Sequence, residues 1–374
     1  MPELWIPGPT EVRAAILEEC QRPMVGHRSS AMMELIADLD PGLRLAFGLA
    51  AGSPSSVAVH ACSASGMLEG SLTAVGPRVL SIVGGAFGKR WLTIARSLDK
   101  DVREMPVEWG RAPQPEELDA ILTEEGPFDA VTLVSNETST GVRTPLGPIG
   151  EVIKRHGDTL LLVDLVSYIA GAPVDFDVNH IDFGLAGVQK AFALPPGICV
   201  MAASERYLSR AREQERHTFY LDPVRIFDGH ATRKPPITPV IGLHYALKRQ
   251  LEDITSGATL PETACAAERT GPDWAWRARF AKHERMQART VSWAANHGLE
   301  LLPPAAEASP TVSCLRSAGL DVTAFTAALE EKGYTISNGY GDLKGKTFRI
   351  GHMGDHTEDG LERLLAAADS CLSS

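Results

Sequence analysis

A lysine and an aspartate stand beside short apolar runs at a spacing that suggests one shared site. Lys190 lies between two such runs within residues 187–197, and Asp164 ends the run Leu160–Val163. An amine costs several kcal/mol to bury without a charge partner, so a lysine in this place has a chemical task or extends out of a turn into water. One chemical task is a Schiff base with an aldehyde cofactor. From Lys190 alone, both interpretations stay open.

The pair fits the requirements of pyridoxal phosphate chemistry. That cofactor needs an amine for its aldehyde and a carboxylate beside its pyridine nitrogen, which keeps the ring protonated and able to accept electrons. Asp164 precedes Lys190 by 26 residues, and both are expected at the same edge of a sheet. For Asp164 alone, the alternative is a helix N-cap or a carboxylate at the sheet edge with its hydrogen bonds satisfied.

The elements between residues 57 and 200 predict a parallel sheet wrapped by helices. Short β-branched runs alternate there with helical patterns, which is typical of α/β folds, and ligands of such folds gather at the carboxyl ends of the strands. The strand-like runs are Val57–Ala61, Val79–Val83, Ala130–Val134 and Leu160–Asp164. The helical patterns between them are Met67–Val75, Phe87–Leu98 and Ile149–His156. Further helices are expected at 238–254, 274–297, 322–332 and 357–371, and short strands at 311–315, 334–337 and 346–350.

Three further segments have residue types that suit this cofactor. Ser63 and Ser65 stand between a strand and a helix, where free backbone N–H groups bind anions, although both could simply cap the helix. Phe87 lies between glycines after the next strand, where its ring could stack on a pyridine or belong to the core. Arg349 lies inside a strand-like run and needs an acceptor, either a substrate carboxylate or a structural ion pair.

The composition of the chain excludes some classes of binding partner. The 374 residues include 36 Lys and Arg against 47 Asp and Glu, a net charge of −11, and no basic run, which argues against nucleic acid or an anionic membrane. Six scattered cysteines form no CxxC pair, so no metal site is predicted and reduced thiols are expected. Without an apolar run of membrane-spanning length or a targeting signal, a cytoplasmic location is expected.

Eight segments, in order along the chain, resemble the class V, fold-type I pyridoxal-phosphate aminotransferases. The nearest branch is that of the alanine:glyoxylate and serine:pyruvate (or serine:glyoxylate) aminotransferases. The segments are Pro7–Thr10, Gly26–Ser29, Ser63–Ser65, Gly85–Gly88, Asn136–Val142, Val163–Val166, Gln189–Lys190 and Arg349–Gly354. Three positions depart from the family pattern: Ala64 replaces a common glycine, Val188 a common serine, and Phe87 a tryptophan.

The resemblance implies a role for each site residue. Lys190 would form the Schiff base and Asp164 would pair with the pyridine nitrogen, as the catalytic residues. Phe87 would stack on the ring, Thr138 would touch the 3′ oxygen, and Val166 would complete the ring site. Arg349 would bind the substrate carboxylate, with Gly8 nearby. The phosphate would be held by Ser63, Ala64, Ser65, Gln189 and, from a second subunit, Thr238.

The resemblance also implies an architecture. It predicts an α/β fold whose large domain has a mostly parallel seven-stranded sheet covered by helices, followed by a smaller C-terminal α/β domain. The expected boundaries are a 1–20 segment packing on the small domain or the partner subunit, a 21–254 cofactor domain, and a 255–374 linker helix and small domain. An interruption at 255–273 is interpreted as a surface elaboration. A homodimer with shared active sites is expected.

The implied reaction is a ping-pong transfer of an amino group from serine or alanine to glyoxylate or pyruvate. Three alternatives stay open. A 2-aminoethylphosphonate:pyruvate aminotransferase shares most of the segments. A cysteine desulfurase would need a mobile cysteine, and Cys314 falls instead inside a strand-like run. A non-catalytic protein of the same fold would not be expected to retain Lys190, Asp164 and Arg349 together. The exact donor and acceptor stay open.

Overall fold

The computed structural model describes residues 1–215, 218–261 and 269–372. Residues 262–268 of the interruption predicted at 255–273, which include Cys265, lie outside the described residues. Its strands are β1 (Glu3–Leu4), β2 (Ser56–His60), β3 (Arg78–Val83), β4 (Asp101–Pro106), β5 (Ala130–Val134), β6 (Asn136–Glu137), β7 (Val142–Arg143), β8 (Leu160–Asp164), β9 (Phe183–Gly187), β10 (Cys199–Ala203), β11 (Val312–Arg316), β12 (Tyr334–Thr335), β13 (Ser337–Asn338) and β14 (Thr347–Gly351). Its helices are α1 (Ala14–Cys20), α2 (Ser30–Ala46), α3 (Ala64–Thr73), α4 (Ala86–Ser97), α5 (Pro115–Glu125), α6 (Leu146–Arg155), α7 (Glu205–Glu213), α8 (Pro223–Ala231), α9 (Ile241–Ser256), α10 (Trp274–Asn296), α11 (Val322–Glu331) and α12 (Glu358–Leu372).

The central sheet has seven strands in the order β2-β10-β9-β8-β5-β3-β4. Its strands run parallel except β10, which is antiparallel to both of its neighbours. The predicted α/β fold with a mostly parallel sheet is therefore confirmed. The sequence pattern missed β4, because this edge strand has one neighbour and carries charged residues such as Arg103 and Glu104 in place of an apolar run.

Strand β8 shows why its sequence is an uninterrupted apolar run. Leu161 and Val163 enter the core formed with α2, α6 and α9. Leu160 and Leu162 enter the core on the opposite face, formed with α3, α4, α7 and α8. Because helices cover both faces of the sheet, every position along the strand is buried, including Asp164 at its end.

The C-terminal part of the chain forms a second, smaller sheet. Strands β11, β14 and β13 pair antiparallel, and α10, α11 and α12 share a core with them. The N-terminal segment joins this unit: β1 pairs parallel with β12, and Trp5 is fully buried in the same core. The single strand predicted at 334–337 is wrong in detail. It is two strands separated by buried Ile336, because β12 pairs with β1 and β13 pairs with β14.

Within the described ranges, no helix has the length and apolarity needed to cross a membrane. The same ranges contain no group of three or more His, Cys, Asp or Glu side chains placed to hold a metal ion. The cysteines in them are unpaired: Cys199 and Cys314 are buried, while Cys20, Cys62 and Cys371 are half-buried.

Candidate active site

Asp164 and Lys190 lie at neighbouring strand ends. Asp164 is the last residue of β8, which runs parallel to β9 with Asp164 opposite Leu185. After β9 the chain turns back into antiparallel β10, and Lys190 lies in that turn. Its placement follows from the reversal of direction, because the turn brings the lysine to the carboxyl edge of the parallel strands. Asp164 Oδ1 accepts a hydrogen bond from Val166 N at 2.8 Å.

The N-terminal segment covers the lysine. Thr10 donates from its backbone N–H to Gln189 O at 3.1 Å and from Oγ1 to Lys190 O at 3.0 Å. Lys190 Nζ donates to Pro7 O. Gly8 has a φ of +103°, and a Cβ there would lie 2.3 Å from Lys190 Cδ. Glycine is required at this position for both its backbone conformation and the close approach of the lysine side chain.

The two ionisable groups have shifted pKa values of opposite sign. Burial, and then the neighbouring Arg349 guanidinium, lower the pKa of Lys190 to about 8, although part of this side chain borders the cavity. Burial raises the pKa of Asp164 to about 6, and the nearby Glu137 carboxylate also raises it. An amine whose pKa is lowered toward neutrality and a buried carboxylate that gains from a positive neighbour both suit this cofactor.

Ser63, Ala64 and Ser65, here called the serine cradle, lie at the start of α3. Ser63 is the N-cap residue with extended backbone, but its side chain makes no capping hydrogen bond. The first backbone N–H groups of a helix have no partner inside the helix, so those of the first turn, at Ala64 and Ser65, point out of its end. The helix therefore presents hydroxyls and N–H groups to an anion.

Phe87 is held by a buried carboxylate that the sequence analysis did not single out. Glu137, 5% exposed, accepts hydrogen bonds from Phe87 N at 3.2 Å and Gly88 N at 3.1 Å, at the start of α4. Ser139 also donates to it. An anion at a helix N-terminus is stabilised by the unpaired N–H groups and the helix dipole. Glu137 thus orients the aromatic ring over the cavity.

The loop after β5 supplies a free acceptor. Thr138 Oγ1 lies 2.5 Å from Ser167 Oγ. Asn136 is buried and donates from Nδ2 to Ser167 O at 3.1 Å, while its Oδ1 has no hydrogen-bond partner within the described chain. A buried oxygen without a partner costs free energy unless a bound group supplies a donor. Because Asn136 is one of the residues that line the cavity, its unpartnered oxygen indicates that the cavity holds a polar ligand.

Arg349 contacts Thr138, which lines the cavity, but Arg349 itself is not among the lining residues. Its Nη1 donates to Thr138 O at 3.3 Å and its Nη2 to Asn338 O at 3.0 Å. The Tyr340 ring lies 5.6 Å from the guanidinium carbon and stacks on Phe87 at 5.9 Å between ring centroids. These contacts leave Arg349 without a carboxylate partner among the described residues, so its charge is available to a ligand.

One cavity of about 300 Å³ brings most of the predicted residues together. The predicted residues that line it are Gly8, Ser63, Ala64, Ser65, Phe87, Thr138, Asp164, Val166, Gln189 and Lys190. It is also lined by Arg90, Asn136 and Ser167, which the sequence analysis missed. Thr238 is elsewhere, in a surface groove with Cys20 and Met24. Its predicted contact from a second subunit stays a prediction.

The residues present fit pyridoxal phosphate. The cavity offers an amine, a carboxylate near it, an aromatic ring and a helix start, and each of these matches one part of the cofactor. The unpartnered Asn136 Oδ1 is the independent sign that a polar group belongs there.

Comparison with known proteins agrees with this geometry. Residues 86–254 match the family model of class-V aminotransferases. An uncharacterized aminotransferase of Methanocaldococcus jannaschii is 31% identical over 99% of this chain and 92% of that protein. A serine–glyoxylate aminotransferase of Methylorubrum extorquens is 29% identical over 99% of this chain and 90% of its own length. The crystal structure of an alanine–glyoxylate aminotransferase from Nostoc sp. has a TM-score of 0.88 at 26% identity, covering 99% of this chain and 95% of that one.

The fold, the residues that line the cavity and the similarity over 99% of the chain all indicate the same family. The chain belongs to the class-V aminotransferases and is a pyridoxal-phosphate-dependent transaminase.

Proposed function

We propose that this transaminase moves the amino group of a small L-amino acid, serine or alanine, to glyoxylate or pyruvate in a ping-pong reaction. The observation that carries the proposal is the position of Tyr340 between Phe87 and Arg349: its ring stacks on Phe87 and lies 5.6 Å from the Arg349 guanidinium carbon. The relatives named serine–glyoxylate and alanine–glyoxylate aminotransferases add support.

Lys190 is the residue that we propose to carry the cofactor and move the proton. When bound, pyridoxal phosphate supplies an aldehyde that links to an amine and a ring that accepts electrons. A pKa of about 8 leaves Lys190 Nζ partly neutral near neutral pH, as an attacking amine must be. Once the donor displaces it, the free amine can take the proton from the donor Cα.

The other residues hold the reacting parts in place. Asp164 would stabilise positive charge at the pyridine nitrogen, while Phe87, oriented by Glu137, would fix the plane of the ring. Thr138 and Val166 would border the ring, and Ser63, Ala64, Ser65 and Gln189, which line the same cavity, would hold the phosphate. Arg349, with Gly8, would bind the donor α-carboxylate and so turn the Cα–H bond toward Lys190.

Tyr340 is the residue that we propose to limit donor size. Its ring contacts both Phe87 and Arg349, so it would lie beside the side chain of a donor whose carboxylate is bound by Arg349. A hydroxymethyl or methyl side chain needs little room there, whereas an aromatic or long aliphatic side chain would displace the ring.

A half-reaction screen tests the donor. The holoenzyme is mixed with serine, alanine, aspartate, 2-aminoethylphosphonate or cysteine, without an acceptor, and the cofactor absorbance is followed. We expect serine or alanine to convert the cofactor fastest, and glyoxylate or pyruvate to restore the starting spectrum. Faster conversion by 2-aminoethylphosphonate or aspartate would show that the proposed donor class is wrong.

Removal of the Tyr340 ring should broaden the donor range. In Tyr340→Ala, we expect kcat/KM for phenylalanine or leucine to rise relative to serine, because the wall between Phe87 and Arg349 is gone. Tyr340→Phe is the matched control, since it keeps the ring and should keep the donor preference. The measurement is the ratio of kcat/KM for large donors to kcat/KM for small donors. An unchanged ratio in Tyr340→Ala would exclude a role of Tyr340 in limiting donor size.

The desulfurase alternative loses support from the position of Cys314. This residue is fully buried in β11 opposite Arg349, and burial raises the pKa of its thiol to about 11. A cysteine that accepts sulfur must be mobile and ionisable. Cys314 is neither in this arrangement.

We further propose a homodimer in which Thr238 closes on the phosphate of the other subunit. Its surface position, away from the cavity of its own chain, supports this arrangement. The divisions at 1–20, 21–254 and 255–374 and a cytoplasmic location remain proposals of the same kind.

A further inference from the structure

The serine cradle supplies too little positive charge for a phosphate. A phosphate monoester carries nearly two negative charges at neutral pH. The start of a helix offers about half a positive charge, together with its N–H groups. Ser63, Ala64 and Ser65 add hydroxyls and N–H donors but no formal charge. A cation is therefore expected close to the start of α3.

Arg90 is the cation in that place. Of the described residues that line the cavity, Arg90 and Lys190 alone are basic, and Lys190 is assigned to the aldehyde. Arg90 Nη1 donates to Ser65 Oγ at 3.3 Å. Its charge is close enough to lower the pKa of both Asp164 and Lys190, although burial dominates the shift in each.

The position of Arg90 is set by the helix that carries Phe87. The two residues are three apart on α4 and therefore share one face, and the guanidinium carbon lies 4.9 Å from the centre of the Phe87 ring. Within the described ranges no carboxylate pairs with Arg90, so its guanidinium donors are not committed to a structural ion pair.

We propose that Arg90 is the cationic ligand of the cofactor 5′-phosphate. The proposal rests on the identity of the cofactor and is independent of the donor. The phosphate is favoured over a donor carboxylate because Arg90 contacts Ser65 of the cradle, whereas the Arg349 guanidinium contacts Thr138 O and Asn338 O. A guanidinium donates two parallel hydrogen bonds to phosphate oxygens, which adds orientation to charge.

The test compares two forms of the cofactor. Full-length Arg90→Gln and Arg90→Lys variants are prepared as holoenzymes and then stripped of cofactor. Each is titrated with pyridoxal phosphate or with pyridoxal, which lacks the phosphate. Binding is followed by absorbance. We expect Arg90→Gln to raise the Kd of pyridoxal phosphate about 10- to 100-fold, as loss of a charged hydrogen bond does, and to leave the Kd of pyridoxal unchanged. Arg90→Lys should recover part of the difference.

Lys89→Gln is the matched control. Lys89 is the exposed neighbour that pairs with Asp342, and it does not line the cavity, so both Kd values should match the parent protein. Equal weakening of both cofactor forms by Arg90→Gln would show that Arg90 acts through Phe87, and would overturn the proposal. Unchanged Kd values with a raised KM for aspartate would assign Arg90 to a donor carboxylate instead. The melting temperature of each stripped variant confirms that it is folded.

Discussion

Replacement of Lys190 by alanine is expected to lower transamination by at least about 10³-fold, because the variant lacks both the amine that holds the cofactor and the base that moves the proton. The visible absorbance band of the covalently held cofactor should disappear. Borohydride reduction of the parent holoenzyme, followed by peptide mass spectrometry, should place the label on Lys190. The remaining contacts of the cavity should still bind the cofactor without a covalent link.

Lys100→Ala is the control for a general effect of removing a lysine. Lys100 is half-buried, and its ammonium donates to the carbonyls of Val75 and Gly76 at 2.8 and 3.2 Å, outside the cavity. This variant should keep the absorbance band, whatever it loses in stability. A Lys190→Ala protein that retained the band and the label would refute the assignment.

Replacement of Asp164 by asparagine is expected to lower kcat/KM by at least about 10²-fold, because a preorganised charge beside the pyridine nitrogen would be lost. The amide keeps the size of the side chain and can still meet Val166 N, so the fold should persist. The loss should appear mainly in kcat, since the charge is needed most when electrons enter the ring. An Asp164→Asn protein with parental kcat would exclude this role.

The same substitution should stabilise the cofactor-free protein. Burial raises the pKa of Asp164 from 3.8 to about 6, so the folded chain binds the proton more tightly than the unfolded chain. The favourable contribution is present below the unfolded pKa and is lost as the pH rises through about 6. At pH 7 the ionised carboxylate costs on the order of 3 kcal/mol, which asparagine avoids.

Urea unfolding of the cofactor-free proteins measures this effect. Asp164→Asn should exceed the parent in free energy of unfolding at pH 7, and the difference should shrink toward pH 4. Asp182→Asn is the control with the opposite sign, because buried Asp182 pairs with Arg206 and accepts from Leu161 N at 2.9 Å. Equal stability of Asp164→Asn and parent at pH 7 would show that Asp164 is not desolvated.

The common position of the proposed catalytic pair, Asp164 and Lys190, could be predicted because its signals are local. Asp164 ends an apolar strand, and Lys190 lies between two such runs, so strand order alone brings them to one edge. The resemblance then assigned ten residues that line one cavity. Arg349 and Thr238 do not line it, since the first lies behind Thr138 and the second on the surface.

The missed residues depend on distant partners. From the sequence alone, Glu137 is one acidic residue in a loop. Its burial is explained only by the backbone N–H groups at the start of α4, about 50 residues earlier, which donate to its carboxylate. Arg90 resembles any solvated charge on an amphipathic helix. Its spacing of three residues from Phe87 was the one available signal, and it has meaning only when that helix face is known to border the cavity.

The segment that covers the lysine is held in place by the C-terminal unit. Gly8 packs against the Lys190 side chain, while β1 pairs with β12 and Gly351 N donates to Trp5 O at 2.8 Å. Release of the C-terminal unit would therefore also remove the cover from the Lys190 amine. The reactivity of that amine thus depends on contacts made by strands far along the chain from it.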